Sequence, residues 1–167
     1  IPVWGTAEPN ESILISFGKQ RVKVRANASG RWMAELKPMA ANKNPQQMSI
    51  KGKRTSIVYD NIVVGEVWLC SGQSNMEMPV KGFRGQPVEG SCDAIATALP
   101  SDNIRMITLK INSSQTVLDD CVATPWVEST PANVADFSAT AYFFASYLRK
   151  VLNVPVGVIC SSWGGSK

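Results

Sequence analysis

The chain of 167 residues contains no histidine. That removes the usual general base of a serine nucleophile, so a complete Ser-His-Asp triad is excluded within these residues. It also removes the commonest metal ligand. The cysteines Cys70, Cys92, Cys121 and Cys160 show no C-x-x-C spacing, and a zinc site is not expected. No uninterrupted apolar run approaches the ~20 residues of a membrane-spanning helix. Blocks of Lys or Arg are lacking too. The net charge of +4 is scattered, which reads as a solvated surface rather than a nucleic-acid stripe. The chain has no internal repeat and no low-complexity segment. It opens at Ile1 with neither an initiator methionine nor a signal peptide, and it stops in a Gly-rich turn. Both ends are therefore expected to be processed or cropped.

What is present is a globular composition, 44 % apolar, enough for a packed core in a chain of this length. Residues 1–60 read as an all-β module. "SILISF" puts Ile13, Ile15 and Phe17 on one face, "RVKVRA" alternates Val22, Val24 and Ala26 with charges, and "RWMAEL" alternates Trp32, Ala34 and Leu36. Turn residues separate these runs, as antiparallel hairpins of a small sandwich require. "KPMAANKNPQQ" reads as a polar loop, with further strand-like pieces up to Tyr59.

The character changes at Asn61, and residues 61–167 read as α/β. "IVVGEVWLC" is a mostly apolar strand of the kind covered on both faces in a parallel sheet. "DAIATAL" is a short helix and "IRMITL" a strand. "DFSATAYFFASYLRKVL" is the clearest helix: Phe137, Ala141, Phe144, Leu148 and Leu152 recur at helical spacing, Asp136 or Ser138 is the cap, and Asn153 and Pro155 follow as stops. "VPVGVICSS" is a second buried strand. Strand, helix, strand points to a doubly wound α/β domain.

Chemistry in such domains sits where strands end. Two strand ends here carry small polar turns. "CSGQSNM" places Ser74 between Gly72 and Asn75, where a hydroxyl is exposed and a turn N–H can face a developing oxyanion. The plain alternative is a turn serine that caps the next segment. The G-x-S-x-G spacing of a nucleophile elbow is absent. "SSWGGS", Ser161 to Ser166, brings Gly164 and Gly165 after the second strand, where backbone can approach a ligand closely. A simple structural turn is the alternative there. Cys70 and Cys160 are expected to be buried thiols. Cys92 and Cys121 lie in loop-like sequence and have the option of a disulfide in an oxidising compartment. Lys81 and Arg84 read as solvated loop charges.

"VGEVWLCSGQSNMEMP" followed by "PVGVICSSWGGS" resembles the sialate O-acetylesterase family, SGNH-type carbohydrate esterases whose first motif reads GQSNM. The helix "AYFFASYLRKVLNVPVG" and the upstream "VWGTAEPNESILISFGKQ…GRWMAELKPM" are similar to that family as well, so the likeness covers nearly the whole chain. It implies an α/β fold with an SGNH-hydrolase-like parallel sheet, of which this is the N-terminal part, preceded by a small antiparallel β-sandwich module. It implies removal of O-acetyl groups from sugars, sialic acids by the family name, with Ser74 as nucleophile. The oxyanion would be held by the backbone N–H of Ser74 and of Gly164 or Gly165. The Asp-x-x-His that supplies base and orienting carboxylate, and a later QGE-type donor, are expected downstream of Lys167 or on a second chain. No metal or organic cofactor is implied, nor a nucleic-acid or membrane partner; Lys81 and Arg84 become candidates to meet a sialate carboxylate. The resemblance implies a secreted, periplasmic or lysosomal location. The competing expectation is a non-catalytic carbohydrate-binding module joined to an incomplete α/β half.

Overall fold

The structure is a computed structural model that describes residues 1–165. It divides into two compact units, Ile1–Val64 and the part from Gly65 onward.

The first unit is all-β. Strands β1 (Pro2–Thr6) and β4 (Arg31–Glu35) form an antiparallel pair. Strands β2 (Ser12–Phe17), β3 (Gln20–Arg25), β5 (Asn42–Lys51) and β6 (Ser56–Val64) form an antiparallel sheet in the order β3-β2-β5-β6. Period-two alternation works as expected. Ile13, Ile15 and Phe17 meet Ala26, Trp32, Ala34 and Leu36 in one buried core. Half of the expected polar loop is strand instead: β5 starts at Asn42, and its register against β6 shifts between Asn42, Gln46 and Met48. Pro45 falls inside that irregular stretch, where a missing N–H costs no regular ladder bond. The "IVVGEVWLC" run is two strands, not one. Ile62, Val63 and Val64 end β6, and β7 (Glu66–Gly72) begins after Gly65. A Cβ at Gly65 would collide with the Pro155 carbonyl, so the backbone approach at this joint needs glycine.

The second unit is built on a mixed sheet. Strand β10 (Val156–Ser162) pairs in parallel with both β7 and β8 (Ile104–Thr108), and β9 (Val127–Glu128) adds antiparallel to β8. Among the described residues four α-helices accompany it, α1 (Ser74–Glu77), α2 (Ser91–Ala96), α3 (Pro131–Asp136) and α4 (Ala139–Leu152), with a 3-10 turn at Pro100–Asp102. One face of the sheet is closed. Cys70, Ile104, Met106, Val156, Val158 and Cys160 share a core with Val134, Phe137, Ala141, Tyr142 and Ala145. The expectation of two covered faces does not hold for β7. It is an edge strand with β10 as its partner, and Val67 and Leu69 on its other face are 63 % and 65 % exposed.

The long helix also differs in detail. Ser138 is its cap, accepting from the Ala141 N–H at 3.2 Å, whereas Asp136 belongs to α3. Its buried residues are Ala139, Ala141, Tyr142 and Ala145; of the expected stripe Ala141 and, ahead of the helix, Phe137 are buried, and Leu148 packs partly against the core. Phe144 and Leu152 are exposed, although the Phe144 ring meets the Trp68 ring edge-on at 5.3 Å.

Candidate active site

Parallel pairing of β7 and β10 aligns their ends. Cys160 lies opposite Cys70, Ser161 opposite Ser71, and Ser162 opposite Gly72. The Trp163 N–H donates to the Gly72 carbonyl at 3.0 Å and extends that register into the two turns. The small polar clusters noted in the sequence thus leave one sheet edge side by side, at the carboxyl ends of the strands, where open α/β sheets carry their sites.

After Gly72 the chain turns at Gln73, and Ser74 opens the single turn α1. The N–H groups of Met76 and Glu77 donate to the Gln73 carbonyl at 2.9 and 3.0 Å, and that of Met78 donates to the Ser74 carbonyl at 2.9 Å. The start of α4 fixes this turn from beside it. The Thr140 hydroxyl donates to the Asn75 carbonyl at 2.9 Å, and the Ala139 N–H to the Met78 carbonyl at 2.8 Å. Ser74 itself is exposed.

The second turn comes close. A Cβ built on Gly164 would lie 3.6 Å from Ser74 Oγ, so the Gly164 backbone and the Ser74 hydroxyl are neighbours. The same Cβ would collide with the Glu77 carboxylate, which would have to swing away to make room for it. The Gly164 N–H donates to Glu77 Oε2 at 2.6 Å. Gly165 follows with a left-handed φ of 75°. Ser166, the last residue of the "SSWGGS" motif, lies outside the described residues. Neither Glu77 nor Thr140 stood out in the sequence. For Glu77 the signal was its spacing: three residues after Ser74, it shares a face with it as soon as the segment is helical.

The remaining candidates fall elsewhere. Cys70 and Cys160 are buried thiols next to one another, and burial, with Cys160 alongside, pushes the Cys70 thiol up from its ordinary value. Cys92 and Cys121 are both exposed free thiols. Lys81 pairs with Asp136, both on the surface, and so has a carboxylate partner within the chain. Among the described residues no group of three potential metal ligands gathers, and no helix is long and apolar enough to cross a membrane.

No family model matches the chain. Individual proteins do. The sialate O-acetylesterase of Homo sapiens is 29 % identical over 98 % of this chain and 34 % of its own length. That of Mus musculus is 26 % identical over 98 % of this chain and 32 % of its own length. The crystal structure of a carbohydrate acetylesterase from Xanthomonas citri superposes with a TM-score of 0.92 at 34 % identity, over 99 % of this chain and 37 % of that one. The chain therefore spans about a third of the length of the curated relatives it matches. Over nearly its whole length the chain is thus similar to about a third of sialate O-acetylesterases and of a carbohydrate acetylesterase.

Proposed function

We propose that this chain carries the nucleophile of a serine carboxylesterase that removes O-acetyl groups from sugars, sialic acids by the name its relatives carry. The observation that carries the reading is the convergence of the Ser74 hydroxyl and the Gly164 turn at the aligned ends of β7 and β10. The SGNH-type arrangement, with a preceding β-sandwich, is the architecture we assign to the whole enzyme. Base and orienting carboxylate come from an Asp-x-x-His in further polypeptide, continuous with this chain or a second one. The lack of histidine supports this, as does the open apolar face of β7, a surface that further polypeptide would cover. We assign the protein to a secreted, periplasmic or lysosomal setting.

The chemistry is acyl transfer. The histidine takes the proton of Ser74 Oγ as that oxygen attacks the acetyl carbonyl carbon. The carbonyl π pair moves to oxygen, where backbone N–H groups of Ser74 and of the Gly164–Gly165 turn hold the negative charge. One such donor contributes ~3 kcal/mol to transition-state stabilisation. Collapse breaks the bond to the sugar oxygen, which takes up the proton. Water, deprotonated by the same histidine, then releases acetate from the acetyl-serine. No step calls for a cofactor.

The test is Ser74→Ala in the esterase expressed from its complete gene. Deacetylation of an O-acetylated sugar is expected to fall by roughly 10³- to 10⁶-fold in kcat with the fold retained. Near-normal turnover would remove Ser74 from the mechanism.

A further inference from the structure

Glu77 is unassigned by the chemistry above, yet its carboxylate sits between the two turns. It follows Ser74 by three residues in α1, and its Oε2 accepts the Gly164 N–H at 2.6 Å. A backbone N–H makes one strong linear hydrogen bond. While Glu77 holds that proton, the Gly164 N–H is not the donor aimed at an oxyanion. A carboxylate acceptor also makes this bond one of the stronger kinds available to a surface turn. Gly164 lacks the Cβ that would push the carboxylate away, and the position such a Cβ would take is 3.6 Å from Ser74 Oγ.

We propose that Glu77 is a positioning residue of the acyl-transfer site. By holding the Gly164 N–H it fixes the Trp163–Gly165 turn against Ser74 and leaves oxyanion donation to the N–H groups of Ser74 and Gly165. The inference rests on the nucleophile reading for its catalytic meaning, but the hydrogen bond can be observed without turnover. A misplacement of about 1 Å in a donor constellation can cost 10²-fold in rate. A turn that has lost its tether is a displacement of that kind.

The experiment compares Glu77→Ala, Glu77→Gln, Gly164→Ala and Ser74→Ala in the esterase expressed from its complete gene. Turnover of an O-acetylated sugar is read beside amide hydrogen exchange at Gly164. Glu77→Ala is expected to lower kcat by roughly 10- to 100-fold, with KM changed by less than about threefold. Gly164 exchange should accelerate in the same variant. Glu77→Gln keeps a carbonyl acceptor and is expected to recover most of the rate. Gly164→Ala displaces the carboxylate and should behave like Glu77→Ala, the double variant being no worse than either single one. Unchanged Gly164 exchange in Glu77→Ala overturns the proposal. So does unchanged or raised kcat in that variant, or a Glu77→Gln enzyme as slow as Glu77→Ala. An active Ser74→Ala enzyme defeats the nucleophile reading instead, and Gly164 exchange still reports on the tether.

Discussion

In the first unit the alternating apolar faces of β2 and β4 are closed, while in the second the edge strand β7 leaves Val67 and Leu69 open on the face away from the core. Ile15 on β2 is fully buried; Leu69 on β7, as apolar and in as regular a strand, is 65 % exposed. An alternating pattern specifies which single face needs cover, and the antiparallel module supplies it from its own strands. A continuous apolar run asks for cover on both faces, and the helices among the described residues meet only half of that demand. What surrounds a strand, rather than its own sequence, decides whether its apolar residues contribute to stability.

That contrast can be broken by paired truncation. Ile15→Ala is expected to cost ~2–5 kcal/mol, since it leaves a cavity in a closed core. Leu69→Ala in the 167-residue chain alone should stay within about 0.5 kcal/mol, as at other open positions. In a longer polypeptide that covers β7, Leu69→Ala should approach the cost of Ile15→Ala. Urea unfolding of both lengths reads the difference. A large cost for Leu69→Ala in the short chain would contradict the open face.

The same contrast explains how far the fold was legible. Ile13, Ile15, Phe17, Trp32 and Ala34 could be placed because period two is a local signal with one solution. β5 was half missed because Asn42–Gln47 carries no apolar alternation; backbone pairing and the Gln47 side-chain amide, donating to the Asp60 carboxylate at 2.8 Å, join it to β6. The break at Gly65 was invisible because it depends on a carbonyl 90 residues away, that of Pro155. Helix α3 went unread although Thr130 before Pro131 is a cap followed by a proline at the first helical position. For the site, the positions of Ser74 and Gly164 at strand ends were legible. Their mutual distance was not, because it follows from the parallel register of β7 and β10, which no local pattern fixes.

A smaller effect is expected at Glu11 in the first unit. The exposed Glu11 carboxylate accepts the Lys53 N–H at 2.5 Å and the Glu8 N–H at 3.1 Å. These bonds, and after them the nearby cationic charge of Arg54 and Lys53, hold its pKa below the ordinary 4.5. A depressed carboxylate stabilises the fold fully above its unfolded value, and that contribution is lost as pH falls through the folded one. Glu11→Gln should therefore lower the urea midpoint at pH 7, and the gap to the parent protein should close as pH falls from the ordinary carboxylate value through the lower folded one. A gap independent of pH would show that the charge plays no part.

We propose Ser74, at the aligned ends of β7 and β10, as the nucleophile of an acetylesterase. The most direct measurement is covalent trapping: incubate the enzyme expressed from its complete gene with a serine-directed phosphonate, digest it, and locate the adduct by mass spectrometry. The account predicts one adduct within residues 1–167, on Ser74 Oγ, abolished together with activity in Ser74→Ala. Inactivation with the adduct on another residue, or full inactivation of a Ser74→Ala enzyme that still turns over, would contradict it.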